Sequence, residues 1–253
     1  MDSLIANSAV QKIQAILFDM GSTLRHRIPE PGDEQRARAK VKELLRSQDD
    51  ALFDELNRRF GVYARWAQER MCELPEIEIW TRWVLREYPA EQIAPIASQL
   101  GFAFRERNGR SVIKPDANAT IEALSRRGYR LGLISNTTSA IDSPDTLEQA
   151  GMSKYFETMI LSTVCGIRKP SPEIFWLATR AMNIDPACCA YLGDRISRDV
   201  VGSRNAGFAM AILIEPLGKP RLDEQDQTAK PDKVIHELSE LLNIFPSRKQ
   251  IQN

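Results

Sequence analysis

Long apolar runs are missing from this chain: no stretch approaches the roughly 18 residues that a membrane-spanning helix requires. Residues 1–14 hold no apolar segment of the kind a secretory leader uses, so none is expected. An excess of one charge sign is missing too. Lysine plus arginine number 34, and aspartate plus glutamate number 34. Nothing in that overall balance suggests a nucleic-acid or anionic-membrane partner, and none is expected. Cysteine is sparse, and the four present (Cys72, Cys165, Cys188 and Cys189) lack the spacing of metal ligands. Cys188 and Cys189 lie in an apolar run and read as buried thiols, which suits a reducing compartment. A cytoplasmic location is the expectation. No internal repeat is visible.

What is present is an ordinary globular composition, 43% hydrophobic and 27% charged. The length suffices for one sizeable core, or for a core with an insert. The first strong pattern is the apolar run Ala15, Ile16, Leu17, Phe18, which stops at a lone carboxylate, Asp19. Gly21, Ser22 and Thr23 follow. A short apolar run reads as a buried strand, here residues 13–18. Gly beside Ser reads as a turn whose backbone can approach a ligand closely. The expectation is a carboxylate at the C-terminal tip of a strand, ringed by backbone N–H groups, those of Met20 and Gly21 among them. Open α/β sheets bind ligands at that edge.

From residue 33 to about residue 100 the pattern turns helical. Leu52, Phe53, Leu56, Phe60, Tyr63 and Trp66 recur at helical spacing. About 85 residues without a strand signal are too many for one loop of a compact domain. They read as an inserted all-helical cap, hinged at residues 25–32, with Pro29 and Pro31, and at 105–115. Tyr63, Trp66, Trp80 and Trp83 read as its interior. Strand signals resume at 129–135, 158–162, 188–192 and 208–214, alternating with helices at 116–128, 142–150, 171–182 and 197–206. Residues 215–232 read as a polar loop and 231–242 as a closing helix. The alternation predicts an α/β fold built on a doubly wound parallel sheet. The division is 11–24 plus 111–246 for the α/β core and 25–110 for the helical cap, with flexible termini at 1–10 and 247–253.

The residues that follow each strand carry the chemistry. Strand one delivers Asp19, strand two Ser135, Asn136, Thr137 and Thr138, and the segment after strand three Arg168 and Lys169. Strand four delivers Asp194 and, five residues on, Asp199. Crowded carboxylates repel unless a cation neutralises them. Lys169 supplies one charge, and an oxygen-only donor set suits Mg²⁺. A lysine, a serine hydroxyl, backbone N–H groups and Mg²⁺ around a carboxylate make a site for a phosphoryl dianion. The carboxylate can itself be the nucleophile.

Asp19-Met20-Gly21-Ser22-Thr23, then Leu133-Ile134-Ser135-Asn136, then Gly166-Ile167-Arg168-Lys169-Pro170, then Gly193-Asp194 with Asp199, resemble the four ordered motifs of the haloacid dehalogenase (HAD) superfamily. The helical insert after the first motif resembles the cap of the subfamily with many small-molecule phosphatases. The resemblance implies a HAD-like Rossmannoid core and hydrolysis of a small phosphorylated molecule through an aspartyl-phosphate at Asp19. It implies that Ser135 and Lys169 act on the phosphoryl group. It also implies that Asp19, Asp194, Asp199 and the backbone carbonyl of Gly21 serve the Mg²⁺ ion. Met20, Gly21, Ser135, Asn136 and Lys169 are the candidate phosphate contacts.

One position departs from that pattern. The family's phosphatases usually place a second aspartate two residues after the nucleophile, as general acid and then base; here it is Gly21. General acid–base catalysis contributes roughly 10²–10⁴-fold, so slow turnover of alkyl phosphates is the expectation, with acyl or aryl phosphates favoured. His26, in the first hinge, is a candidate substitute proton donor. The alternatives are a HAD-fold binding or regulatory protein with little catalysis, a dehalogenase-like hydrolase, and a phosphonatase-like hydrolase. The last would need a Schiff-base lysine in the cap, for which Lys40 and Lys42 are available.

Overall fold

The computed structural model describes residues 10–215 and 229–248. Six strands form one parallel sheet: β1 (Ala15–Phe18), β4 (Arg130–Ser135), β5 (Phe156–Leu161), β6 (Cys189–Gly193), β7 (Met210–Ile214) and β8 (Lys233–Ile235). Their spatial order is β5-β4-β1-β6-β7-β8. Phe18, the last residue of β1, lies opposite Leu133 of β4 and Leu192 of β6. The chain leaves β1 for β4 and β5 on one side, then returns to β6, β7 and β8 on the other. The switch point therefore flanks the tip of β1, where an open α/β sheet has its binding crevice.

Side chains alternate across these strands. Ile16 and Phe18 enter one buried cluster with Leu131, Leu133 and Leu192, while Ala15 and Leu17 enter another with Ile134, Phe175 and Tyr191. Helices cover both faces, as an all-parallel sheet requires. Among them are Ala117–Arg126, Asp142–Gln149, Pro172–Ala181 and Val201–Asn205. Among the described residues, no helix is long and apolar enough to cross a membrane. All four cysteines are free thiols, and Cys189 is buried.

The insertion after β1 is helical. Its main helices are Asp33–Leu45, Leu52–Arg70 and Ala97–Glu106, with a short helix Glu76–Glu78 that runs into a π-helical turn, Ile79–Val84. They pack on a cluster of their own around Val41, Phe53, Leu56, Trp80, Leu100 and Phe104, separate from the clusters of the sheet. Tyr63 and Trp80 lie inside it, and Trp66 and Trp83 pack against it.

Two segments differ from the sequence expectation. The stretches read as hinges contain β2 (Arg25–Ile28) and β3 (Arg110–Ile113), which pair antiparallel with Arg25 opposite Ile113. Four-residue strands bearing Arg25, Arg27 and Arg110 show no apolar alternation; pairing of their backbone groups creates the ribbon. The segment 231–242, expected as a helix, opens instead with the three-residue edge strand β8. A 3₁₀ turn, Leu238–Glu240, and a short helix, Leu241–Ile244, follow. Ile235, Leu238 and Leu241 are buried at three-residue intervals, which mimics a helical stripe although only the end of the segment is helical. The exposed Lys233 on this edge discourages further pairing. The polar loop expected at 215–232 lies mostly outside the described residues, as do residues 1–9 and 249–253 of the termini.

Candidate active site

Asp19 follows β1 directly, and its amide continues the sheet by donating to the Leu192 carbonyl at 2.8 Å. The next five residues close tightly: the Met20 carbonyl accepts from the amides of Leu24 (3.1 Å) and Arg25 (3.2 Å). Ser22 takes the left-handed conformation that this closure needs, at φ 61°. The Met20 side chain is fully buried, so only its backbone is offered to a ligand. Thr23 Oγ1 donates to Asp19 Oδ2 at 3.4 Å. Gly21 is exposed, with nothing within 4 Å of the point where a Cβ would stand.

Three further chain segments converge on this carboxylate. Ser135 ends β4 and lines the same cleft as Asp19. Asn136 lines the cleft as well, with its side chain bound to the backbone of Lys169: its amide donates to the Lys169 carbonyl and its oxygen accepts from the Lys169 amide, each at 2.9 Å. That clamp fixes the backbone from which the Lys169 ammonium projects. Thr137 Oγ1 accepts from the Ser139 amide at 3.1 Å, capping the local turn. After β6 come Asp194 and a π-helical turn, Ile196–Val200, that brings Asp199 back beneath the strand tip. A Cβ at Gly193 would lie 2.3 Å from the Asp199 carboxyl carbon.

Two cations sit among the three carboxylates. Lys169 Nζ lies 2.7 Å from Asp19 Oδ1 and 2.8 Å from Asp199 Oδ1. It also donates to Tyr191 Oη at 2.8 Å and to the Ile134 carbonyl at 3.0 Å. Arg198 Nη2 reaches all three acids: Asp194 Oδ1 at 2.7 Å, Asp19 Oδ2 at 3.1 Å and Asp199 Oδ2 at 3.1 Å. Asp199 Oδ2 accepts as well from the amides of Asp194 (3.2 Å) and Arg195 (3.1 Å). Burial alone would raise the Asp199 carboxyl, but Arg198 and Lys169 overrule it and hold it at about 2. Burial, with Asp199 and Asp19 nearby, drives Tyr191 well above its ordinary value, so it stays a neutral phenol and a hydrogen-bond partner for Lys169.

Three carboxylates against two cations leave a net negative charge. One oxygen from each of Asp19, Asp194 and Asp199 can be chosen so that all lie within 4.8 Å of one another, and all three side chains are buried. A compact, oxygen-only donor set of this kind fits a hard divalent cation. Arg198 occupies the same oxygens and so competes for them. Removing it is expected to leave buried like charges uncompensated. Arg198→Ala should lose on the order of 3 kcal/mol without a divalent cation, roughly 6–12 °C in Tm for a chain of this size. It should also gain more Tm from added Mg²⁺ than the native protein does. Thermal denaturation with and without Mg²⁺ measures both, and an equal Mg²⁺ increment in the two proteins would contradict the competition.

The cleft over Asp19 has a volume of about 360 Å³ and is rich in arginine: Arg25, Arg27, Arg105, Arg168, Arg195 and Arg198. His26 is not among its lining residues; it stands in β2 with its Nδ1 buried and without a hydrogen-bond partner. Arg168 is bound to the buried Glu73 of the helical segment, which also accepts from Tyr63 and from Ser162 Oγ at 3.2 Å. Burial raises the Glu73 carboxyl, against the pull of Arg168. Beside this pair the helical segment meets the sheet domain backbone to backbone, with the Glu73 amide donating to the Gly166 carbonyl at 3.0 Å and the Arg168 amide to the Met71 carbonyl at 2.9 Å.

Arg198, Tyr191 and Glu73 escaped the sequence reading. Arg198 stands one residue before Asp199, and its place between two acidic positions was the available signal. Tyr191 could have been found from strand alternation, since it faces the opposite side of β6 from Leu192. Nothing local marks Glu73.

A family model for the haloacid dehalogenase-like hydrolases matches residues 13–207. The chain is 31% identical over 158 residues to haloacid dehalogenase-like hydrolase domain-containing protein 3 of Bos taurus, a match covering 62% of this chain and 60% of that protein. It is 27% identical over 246 residues to the phosphoserine phosphatase of Thermus thermophilus, covering 95% of this chain and 94% of that one. Among solved structures, the 2-haloacid dehalogenase of Pseudomonas syringae pv. Tomato superposes with a TM-score of 0.68 at 25% identity, covering 92% of this chain and 97% of that one. With a family model spanning well over half its length and six parallel strands that bring the four motifs to one sheet edge, the chain belongs to the haloacid dehalogenase-like hydrolases.

Proposed function

We propose that the protein is a Mg²⁺-dependent phosphatase that acts on a small phosphorylated molecule through an aspartyl-phosphate at Asp19. The observation that carries this reading is the placement of the Asp19 carboxylate at the foot of an arginine-rich cleft, 2.7 Å from the Lys169 ammonium and beside Asp194 and Asp199. An Asp19 oxygen attacks phosphorus, the bond from phosphorus to the leaving oxygen breaks, and the leaving group departs with the electron pair. Water then attacks the acyl phosphate, releasing inorganic phosphate and restoring Asp19. Lys169, Ser135 and the backbone amides of Met20 and Gly21 bind the phosphoryl oxygens. Asp19, Asp194, Asp199 and the Gly21 carbonyl would hold Mg²⁺, which offsets phosphoryl charge when bound.

Gly21 supplies no proton to the leaving oxygen, so this reading favours leaving groups stable as anions, namely acyl and aryl phosphates. The insertion, residues 25–110, acts as a cap over the core formed by 11–24 and 111–246, and excludes water from the cleft when closed. The phosphatases among its relatives support a small-molecule substrate.

The test is Mg²⁺-titrated hydrolysis of acetyl phosphate and p-nitrophenyl phosphate, with mass spectrometry of acid-quenched turnover. Metal-dependent release of phosphate, with a phosphoryl adduct on the peptide containing Asp19, is the expected result. No turnover of either substrate while vanadate still binds would replace this reading with that of a phosphoryl-binding protein.

A further inference from the structure

Beside the cleft lies a smaller cavity of about 210 Å³, walled by Phe60, Trp80, Phe104, Gly101, Arg27 and Arg107 among others. The two spaces share Arg27, Phe60, Arg105 and Thr138, so the cavity adjoins the cleft that holds Asp19. Its apolar side is the edge of one aromatic group, in which Phe60 is half-buried and Trp80 and Phe104 are each 1% exposed; Phe60 lies 6.1 Å from Trp80 and 5.1 Å from Phe104, centroid to centroid. Trp80 meets Phe104 edge-on at 5.8 Å. Gly101 keeps this wall close to Glu76, whose Oε1 lies 2.2 Å from where a Cβ at 101 would stand.

The arginines around this space are not equally neutralised. Arg25 is paired with Asp142 at 2.5 Å, and Arg105 with Glu76 at 3.3 Å and Asp142 at 3.9 Å. Among the described residues Arg27 has no such partner. Its Nη1 donates to two backbone carbonyls, Arg105 and Gly109, each at 2.8 Å. Arg107 lies over the Phe104 ring at 3.9 Å and donates to the Phe104 carbonyl. Among the described residues, no carboxylate forms an ion pair with either one. Burial lowers both guanidinium groups from their ordinary value, with Arg25 and Arg105 adding to it at Arg27 and Arg27 at Arg107, against the pull of Asp142 and Glu106 on Arg27 and of Glu34 on Arg107. Both stay charged in water, since arginine does not lose its proton in proteins. Two cations outside any ion pair, Arg27 exposed and Arg107 half-buried, beside an aromatic edge are complementary to a flat apolar group that carries an anion.

We propose that this cavity is the leaving-group subsite, and that the substrate's leaving group is a flat, apolar body bearing its own anionic group, held by Arg27 and Arg107 against Phe60, which Trp80 and Phe104 back from behind. At about 210 Å³ the volume lies below that of drug-sized pockets and above that of a cavity that takes benzene, which suits a single small ring. This assignment rests on the phosphatase reading and deepens it: an acidic aryl or acyl leaving group is the kind that departs without a proton from residue 21.

The experiment compares two non-hydrolysable probes, 4-carboxybenzylphosphonate and its neutral isostere 4-carbamoylbenzylphosphonate, by isothermal titration in the presence of Mg²⁺. The carboxylate is expected to bind the native protein at least tenfold more tightly than the carboxamide. Arg27→Met and Arg107→Met should each shrink that ratio severalfold, and Arg27→Lys should retain part of it. Because the readout is a ratio within one variant, a general loss of folding or of phosphonate affinity does not imitate it. Equal binding of the two probes by the native protein overturns the subsite and leaves the phosphatase reading standing. A ratio unchanged in both methionine variants does the same. Failure of both probes and of vanadate to bind overturns the phosphatase reading, and the subsite with it.

Discussion

Asp19→Asn is expected to abolish turnover, by a factor on the order of 10⁶, the scale set by removing a covalent nucleophile from an enzyme. The substitution is close to isosteric, and an amide oxygen does not attack phosphorus. The surroundings tolerate it. Asp19 is buried among two other carboxylates and two cations, so losing one charge takes the cluster from net negative to neutral and relieves repulsion. Asn can still accept from Lys169 and Thr23 through its oxygen. Tm should therefore stay within a few degrees of the native value, and vanadate should still bind through Lys169, Ser135 and the loop amides. The measurements are steady-state hydrolysis of acetyl phosphate, thermal denaturation and vanadate titration on one preparation. A folded variant that keeps even a hundredth of native activity would remove Asp19 from the nucleophile's role.

Gly21→Asp is expected to act in the opposite direction, raising hydrolysis of alkyl phosphates by about 10²–10⁴. The site has room for the side chain, since no atom lies within 4 Å of the Cβ position, and the backbone there is outside the left-handed region. The new carboxyl would share the cleft with Asp19 and Asp194. Like charges raise its pKa, and a raised pKa is what a general acid near neutrality needs. Aryl phosphates, whose leaving groups need little protonation, should gain far less. A plot of rate against leaving-group pKa separates the two cases: steep for the native protein, shallow for the variant. An unchanged rate on glycerol phosphate would mean that the missing acid does not limit this site.

Much of the α/β sheet was legible because its strands are apolar runs buried on both faces. Ala15–Phe18 and Met210–Ile214 contain no polar residue, and few other structures accommodate such a run between turn residues. The site was legible for a related reason. Parallel strands deliver whatever follows them to one edge, so Asp19, Ser135, Lys169, Asp194 and Asp199 meet although up to 180 positions separate them. The structure brings those five together. It turns Asn136 toward the Lys169 backbone, a choice of partner that no spacing reveals.

What was illegible depended on pairing rather than on pattern. The β2–β3 ribbon joins residues some 80 positions apart and is written in arginines, so neither strand announces itself. β8 was hidden by the three-residue spacing of Ile235, Leu238 and Leu241, which strand, turn and helix happen to preserve together. Arg198 was overlooked because a charge in a helical run normally faces water. Here the π-helical turn redirects it into the acidic cluster.

Gly193 carries a wider consequence. The Asp199 carboxyl group fills the volume that any side chain at 193 would need. A methyl group there would displace the acceptor used by two backbone amides, Lys169 and Arg198 at once. Assembly of the acidic cluster is thus conditional on a residue with no chemistry of its own. A chain with every charged residue of this site in place, but alanine at this position, would hold the inventory and lack the architecture. Reading a site of this kind from sequence therefore means checking for the atom that must be missing as well as for the groups that must be present.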